Sequence, residues 1–317
     1  MSLSILYRGP LSSCNYACDY CPFAKRTETA AQLTHDRECL ERFVAWVSTR
    51  TADTIGVLFT PWGEALVRKW YQDALAALTQ MPHVTKAAIQ TNISCKLDWV
   101  EACDRAKLAL WCTFHPSETT RERFLAKCRE LVARGVRFSV GVVGLKEHLA
   151  EIDALRSELP PDVYLWVNAF KRGSNPSPTP PLKREGLQTP TPPPFLGEGV
   201  GGRGSSSDYY TPEMIERLTN IDHLFPLNNA YHASRDEPCR AGSSVISVDG
   251  DGTVRRCHFI QEPIGNIYDA NFEACLQERL CTNDTCGCHI GYVHLNRLKL
   301  YDVFGAGVLE RIPDGYR

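Results

Sequence analysis

Apolar residues along this chain fall into short alternating runs, each followed by a longer stretch at helical spacing. Leu3 to Tyr7 predicts a strand, and a cysteine-bearing loop follows it. A helix starts near Thr34 and carries Leu40, Phe43, Val44 and Val47 on one face. The next strand covers Thr54 to Thr60, and a helix runs from about Ala65 to Met81. A third strand, Lys86 to Thr91, leads to a short helix near Asp98. The fourth, Leu108 to Phe114, leads to a helix capped near Ser117 or Thr120. That helix buries Phe124, Leu125, Cys128, Leu131 and Val132, and Gly135 suits its C-terminal cap. Val136 to Val143 forms the fifth strand, with a helix near Leu145 to Glu158, and Val163 to Phe170 forms the sixth. Thr211 followed by Pro212 marks the start of the sixth helix.

Strands and helices in strict alternation imply a parallel sheet with helices outside. A full eight-fold barrel needs two more units than the pattern supplies. The expected class is therefore α/β, a partial open (β/α)6 barrel of TIM type with a small cysteine-rich C-terminal extension. We expect the barrel to occupy residues 1–232 and the extension residues 233–317. In such barrels chemistry gathers at the C-terminal ends of the strands, where the cysteine loop falls.

Residues 173–207 interrupt this order between the sixth strand and the sixth helix. The first half is rich in proline and the second in glycine. That composition builds no core and predicts disorder. Proline codons and glycine codons are reverse complements in a shifted frame, so an inverted DNA repeat inserted in frame accounts for both halves. A surface loop tolerates such a passenger. The competing reading is a lid or a partner-binding proline segment.

Charge changes the picture mainly by exclusion. The chain has 317 residues with 35 basic and 37 acidic side chains, so no nucleic-acid or membrane footprint is expected. The start, MSLSILYRGP, lacks the basic and long apolar segments of a secretion signal. No uncharged apolar stretch approaches a membrane span. With 14 cysteines and no such signal, the chain is expected in the cytoplasm, its thiols free or bound to metal.

Three of those cysteines carry the sharpest signal. Cys14, Cys18 and Cys21 are spaced C-x3-C-x2-C just after the first strand, with Tyr20 before the third. Three thiolates on one loop can hold three irons of a cubane cluster and leave the fourth iron open, whereas a closed cluster takes four. The plainer alternatives are a zinc site completed by a histidine such as His35, or unligated core thiols. Cys39, Cys95, Cys103, Cys112 and Cys128 lie in or beside predicted elements and read as ordinary thiols. A second group lies near the C-terminus. Cys239 and Cys257 flank a predicted hairpin with a turn at Asp249 to Gly252, and Cys281, Cys286 and Cys288 follow. That layout suits a metal. One cluster takes four ligands: Cys239, Cys257, Cys286 and Cys288 are favoured, with Cys281 as a substitute for either of the last two. A structural zinc on four of these thiols is the competing reading.

The C-x3-C-x2-C loop with its tyrosine resembles the radical S-adenosylmethionine (radical SAM) superfamily. The resemblance implies that the open iron binds S-adenosylmethionine. Reductive cleavage then yields a 5′-deoxyadenosyl radical that abstracts a substrate hydrogen. The second predicted strand ends in Trp62-Gly63-Glu64, similar to the family's Gly-Gly-Glu element, with Trp62 in place of the first glycine. By resemblance, Glu64 holds the cosubstrate's ammonium. Thr91 and Asn92 at the third strand are similar to the ribose and carboxylate contacts. Gly144 and Glu147 match part of the adenine-side element, and Tyr20 faces the adenine. His115, after the fourth strand, reads first as a residue opening the next helix, without chemistry, the competing reading being a contact to substrate or cosubstrate. Gly252-x4-Cys257 resembles the auxiliary-cluster extensions called SPASM and Twitch, and the cysteine spacing suits a single Twitch-like 4Fe–4S cluster. The resemblance implies a reductant protein such as a flavodoxin or ferredoxin and leaves the substrate open, with a slight lean to peptide or protein maturation over small-molecule biosynthesis. The competing classes are a non-catalytic zinc or iron–sulfur binding module and an electron-transfer protein.

Overall fold

In the computed structural model the described residues are 1–21, 23, 27–171 and 209–316, and the insertion expected at 173–207 lies outside them. Six strands run in sequence order: β1 (Ser2–Arg8), β2 (Thr54–Phe59), β3 (Val84–Thr91), β4 (Leu108–Phe114), β5 (Arg137–Val143) and β6 (Leu165–Asn168). Each pairs in parallel with the next. The helices between them are α1 (Ala30–Thr49), α2 (Lys69–Gln80), α3 (Arg121–Ala133) and α4 (Leu149–Glu158), with α5 (Pro212–Ile221) and α6 (Phe225–Asn229) after β6.

The period-2 alternation of the strands separates two cores. Leu3, Ile5 and Tyr7 of β1, with Ile55, Val57 and Phe59 of β2, join the cluster beneath the helices. There Tyr7 stacks on Phe43 of α1 at 4.3 Å between ring centres. Phe43 is fully buried, and such a side chain contributes roughly 1.5–3 kcal/mol. The alternate residues, Leu6, Leu58, Ala88, Ala109, Trp111 and Trp166, form a second cluster on the opposite face. Two large indoles fit there because their neighbours are small. A Cβ on Gly141 of β5 would stand 2.0 Å from the Trp166 ring.

Several element boundaries differ from the sequence expectation. α1 begins at Ala30, earlier than the apolar face indicates, because Thr29 and Gln32 form a reciprocal capping box. The expected helix from Ala65 divides into a short 3₁₀ turn, Ala65–Val67, and α2. Thr120 caps α3 and Thr211 caps α5, with Pro212 in the first turn.

Beyond α6 the chain makes β7 (His232–Ala233), β8 (Pro238–Cys239), β9 (Val245–Asp249), β10 (Thr253–Arg255), β11 (Pro263–Asn266), β12 (Arg279–Leu280) and β13 (Thr285–Cys286), with short helices α7 (His289–Tyr292) and α8 (Leu300–Phe304). The predicted hairpin is present as β9 and β10. It continues the main sheet, because β9 pairs in parallel with β1. The sheet thus has nine strands, in the order β11-β10-β9-β1-β2-β3-β4-β5-β6. Among the described residues no helix is long and apolar enough to cross a membrane.

The last segment, a 3₁₀ turn at Gly305–Glu310, packs across β2 to β5 on the face that carries the two indoles. Trp111 Nε1 donates to Leu309 O at 2.8 Å, and Ser139 Oγ donates to Glu310 O at 3.1 Å. The buried Glu310 carboxylate pairs with Lys86 and with Arg137. Periodicity gives no sign of this segment, whose place depends on contacts remote in sequence.

Candidate active site

The cysteine loop is pinned before its first thiol. Leu11 N donates to Asp36 of α1 at 3.0 Å, and Ser12 N donates to Glu28 at 2.8 Å. Ser13 O accepts from Glu64 N at 3.1 Å, joining the loop to the residues after β2. Gly63 makes that contact possible. A Cβ there would stand 1.8 Å from Ser13 O, so the missing side chain admits the chain's own loop.

Asp36 is the buried anchor of this region. Its carboxylate accepts from Leu11 N, from Trp70 Nε1 at 2.7 Å and from Tyr71 OH at 3.0 Å. Burial nevertheless raises its pKa to about 6.

Cys14 and Cys21 are half-buried and Cys18 is buried, and all three are free of disulfides. A turn closes the motif, with Cys21 N donating to Cys18 O at 3.1 Å. Tyr16 N points at Cys14 Sγ at 3.4 Å. His115 reaches the loop from the end of β4: its Nδ1 lies 3.3 Å from Cys18 Sγ and 2.8 Å from Tyr20 OH. Burial lowers its pKa to about 4, so it is neutral at neutral pH. His115 thus touches the motif, a contact that the sequence reading did not foresee. Its place at the C-terminal end of the parallel strand β4 was the available signal.

Glu64, Thr91 and Asn92 converge as one hydrogen-bonded group. Thr91 Oγ1 donates to Glu64 Oε1 at 2.8 Å, Asn92 N to Oε2 at 2.5 Å, and Leu66 N to Oε1 at 3.0 Å. Burial raises the Glu64 pKa to about 7 even against these three donors. Asn92 Nδ2 also donates to Asn15 Oδ1 at 3.1 Å, tying β3 to the cysteine loop.

These groups open on one cavity of about 310 Å³, bounded by the three motif cysteines, Gly63 and Glu64 on one side. On the other stand Trp111, Trp166, Asn168, Cys288, His289 and Arg311. Arg8 and Trp62 also line it, with the guanidinium 4.1 Å from the indole centre. Burial lowers the Arg8 pKa to about 10, which still leaves it charged. Thus Trp62, where the family pattern has glycine, carries an arginine. Gly144 and Glu147 are not among the cavity's lining residues. Gly144 O accepts from Tyr210 OH at 2.7 Å, and Glu147 is exposed on a 3₁₀ turn. Tyr20 is held against His115 by the contact already described.

The C-terminal thiols divide. β8 pairs with β12 and β7 with β13, which draws the chain around Cys239, Cys281 and Cys286 together. Cys239 and Cys281 both lie near enough to Cys257 to oppose its ionisation, adding to burial that raises its pKa to about 11. Cys257, Cys281 and Cys288 act the same way on Cys286. Cys288 is exposed and lines the cavity.

Among the described residues no three His, Cys, Asp or Glu side chains are gathered closely enough to hold a single metal ion. A four-iron cube asks something different, with one thiolate at each of several corners. The first loop fits that demand, as three thiols outside any disulfide, close to the buried Glu64 carboxylate and beside an open cavity.

No family model matches the chain, and no curated protein matches it. Solved structures share its fold. Native anSMEcpe with bound AdoMet aligns with a TM-score of 0.53 at 13% identity, over 87% of this chain and 81% of that one. Native anSMEcpe with bound AdoMet and the Kp18Cys peptide gives 0.52 at 14%, over 87% and 81%. Streptococcus suis SuiB gives 0.51 at 12%, over 88% of this chain and 66% of that one. At such identities the likeness establishes the fold.

Proposed function

We propose that this chain is a radical SAM enzyme whose catalytic 4Fe–4S cluster is held by Cys14, Cys18 and Cys21. One observation carries the reading: the three motif thiols and the buried Glu64 carboxylate face one cavity at the strand ends. The fold shared with an AdoMet-bound protein supports it. When bound, the cluster and S-adenosylmethionine supply a 5′-deoxyadenosyl radical that removes a substrate hydrogen.

The chain's own residues position, shield and screen charge. Glu64 accepts the cosubstrate's ammonium, held in place by Thr91, Asn92 N and Leu66 N. An ammonium beside this carboxylate offsets the burial that raises its pKa. His115 hydrogen-bonds Tyr20 and braces Cys18. Trp111 and Trp166 wall the cavity and exclude water from the space where a radical would form.

For the second cluster we assign Cys239, Cys257, Cys281 and Cys286, within a Twitch-like unit of residues 233–317. The strand pairs β8–β12 and β7–β13, which bring Cys239, Cys281 and Cys286 together, support the choice, as does the place of Cys288 on the cavity wall, although Cys288 also lies near Cys286. A flavodoxin or ferredoxin would deliver the electron in the cytoplasm. A peptide substrate draws support from the peptide-bound anSMEcpe structure.

Iron and sulfide content after anaerobic reconstitution tests the reading, followed by equilibrium dialysis with S-adenosylmethionine and a cleavage assay under dithionite. About eight irons per chain with release of 5′-deoxyadenosine is the expected result. Zinc without iron, or no cosubstrate binding by the iron-loaded protein, would overturn it.

A further inference from the structure

Arg311 is a buried guanidinium on the cavity wall, 4% exposed. Its plane lies 3.9 Å from the Trp166 ring centre and 5.7 Å from that of Trp111. Its Nη1 donates to Asn168 Oδ1 at 3.1 Å. Among the described residues no carboxylate lies within ion-pair distance of it. The buried Asp222 behind β6 is already engaged by Tyr164 OH at 2.6 Å and Val167 N at 2.9 Å. A buried charge without a counter-ion costs several kcal/mol, so this one calls for an anion from elsewhere.

The chain is built to put the charge there. Glu310 is clamped by Lys86 and Arg137, and Leu309 O and Glu310 O accept bonds from Trp111 and Ser139. The next residue, Arg311, has φ 52°, in the left-handed region, although it carries a side chain. Such a conformation costs about 1–3 kcal/mol and persists where surroundings enforce it. The clamp and the strained turn together project the guanidinium from the anchored segment to the cavity.

Apart from the motif thiols, the other charged side chains of the cavity give Arg311 no counter-ion. Glu64 is taken up by three donors at the end of β2, and Arg8 adds a second guanidinium.

We propose that Arg311 is the subsite for an oxyanion of the substrate, a carboxylate or a phosphate group, held against the Trp166 face. This rests on the reading of the cavity as the radical site. The cosubstrate's own carboxylate does not satisfy this position. It shares a carbon with the ammonium assigned to Glu64 on the β2 side, whereas Arg311 packs on indoles from β4 and β6. Two strand spacings alone amount to about 10 Å. A guanidinium with its plane fixed by stacking also suits the two-oxygen geometry of a carboxylate or phosphate.

The test uses the full chain, reconstituted with iron and sulfide, and two variants. Arg311→Gln removes the charge. Asn168→Asp keeps the arginine and sets a carboxylate against it, so it answers the objection that the first variant misfolds. Succinate and inorganic phosphate serve as probes at constant ionic strength, with chloride as control. The readout is the thermal midpoint, which rises with ligand by mass action. A saturable rise is expected in the parent protein and an apparent Kd about tenfold weaker or more in both variants, the scale of one charge-assisted bond. The tighter probe names the oxyanion. Affinity for S-adenosylmethionine, read by dialysis, stays within about twofold in both variants. No saturable response, or an equal one in all three proteins, overturns the inference. So does a loss of cosubstrate affinity in Arg311→Gln, which would move the arginine to the other ligand. Failure of the parent protein to bind S-adenosylmethionine would instead sink the radical-enzyme reading, and the anion titration reads independently of it.

Discussion

Thr91 Oγ1 donates to Glu64 Oε1 at 2.8 Å, so the hydroxyl at the end of β3 serves the carboxylate at the end of β2. This changes what Thr91 is expected to do. Its hydroxyl sets the carboxylate, and the carboxylate meets the cosubstrate. Glu64→Gln should weaken S-adenosylmethionine binding by about 10- to 100-fold, the scale of a hydrogen bond to a charged group. Thr91→Val should weaken it by no more than about fivefold while costing about 1–3 kcal/mol of stability, because it leaves a buried acceptor short of a partner. Equilibrium dialysis and denaturant unfolding read the two effects separately. Equal losses of affinity in both variants would mean that Thr91 touches the ligand itself.

The division of the cysteines makes a second prediction. Replacing any one of Cys14, Cys18 or Cys21 by Ala should remove about four irons of about eight and abolish cosubstrate cleavage. Replacing Cys239, Cys257, Cys281 or Cys286 should remove the other half. Cys288→Ala should leave the iron content unchanged, since that thiol faces the cavity. Iron loss in Cys288→Ala with full iron in Cys281→Ala would restore the set favoured by spacing alone.

The strands were legible in the sequence because one face of each packs under helices, which imposes a two-residue period on Leu3, Ile5 and Tyr7 and on Ile55, Val57 and Phe59. Glu64, Thr91 and Asn92, singled out by the family resemblance, lie together because they follow the neighbouring strands β2 and β3. The α1 start was misplaced because apolar spacing says nothing of the Thr29–Gln32 box. Gly63 stood out by its place in the Trp62-Gly63-Glu64 element; that it makes room for Ser13 O depends on the folded loop. Arg311 and the Gly305–Glu310 segment were not legible at all. Their positions follow from Trp111, Ser139, Lys86 and Arg137, none of them within 170 residues of its partner except through the fold.

That dependence sets up a third prediction. Glu310 is buried between two cations, so Glu310→Ala leaves Lys86 and Arg137 facing each other without a counter-ion. A loss of about 3–5 kcal/mol is expected, the usual scale for breaking a buried pair. Trp111→Phe deletes the bond to Leu309 O while keeping most of the ring, and should cost about 1–3 kcal/mol. Urea unfolding measures both. A change below about 0.5 kcal/mol in Glu310→Ala would show that the C-terminal segment is not held by this pair.

The insertion can be tested through the residues that flank it. Phe170 and Tyr209 are in ring contact at 5.0 Å, and Phe170 N donates to Tyr210 OH at 2.7 Å. The two sides of residues 173–207 therefore meet, and a short Gly-Ser bridge can span them. Replacing the segment by such a bridge should move the thermal midpoint by no more than about 2–4 °C, since closure entropy varies slowly with loop length. Cosubstrate affinity should be unchanged. A large loss of turnover with an intact fold would establish a lid or partner role for the segment.

Asp36 predicts a pH dependence whose sign can be worked out. Its folded pKa is about 6, raised by burial from the ordinary 3.8. Between those values the folded state holds a proton that the unfolded state has released, so folding is favoured by acid in this window. The group's contribution is most favourable below about pH 4 and falls as pH rises through 6, by on the order of 3 kcal/mol. Carboxylates held low by partners, such as Asp53 beside Arg50 and the N-terminus, act in the opposite sense and lose their contribution as pH falls. The parent protein's total slope therefore mixes both. Comparison with Asp36→Asn isolates the term, because the amide cannot ionise. Relative to the parent, the variant's unfolding free energy should rise as pH goes from 4 to 7, on top of a constant offset from the weaker acceptor toward Leu11 N, Trp70 and Tyr71. Urea unfolding at a series of pH values reads the difference. A difference that stays flat across the window would mean that the Asp36 carboxyl titrates as an exposed one does, and that the three donors fully offset its burial.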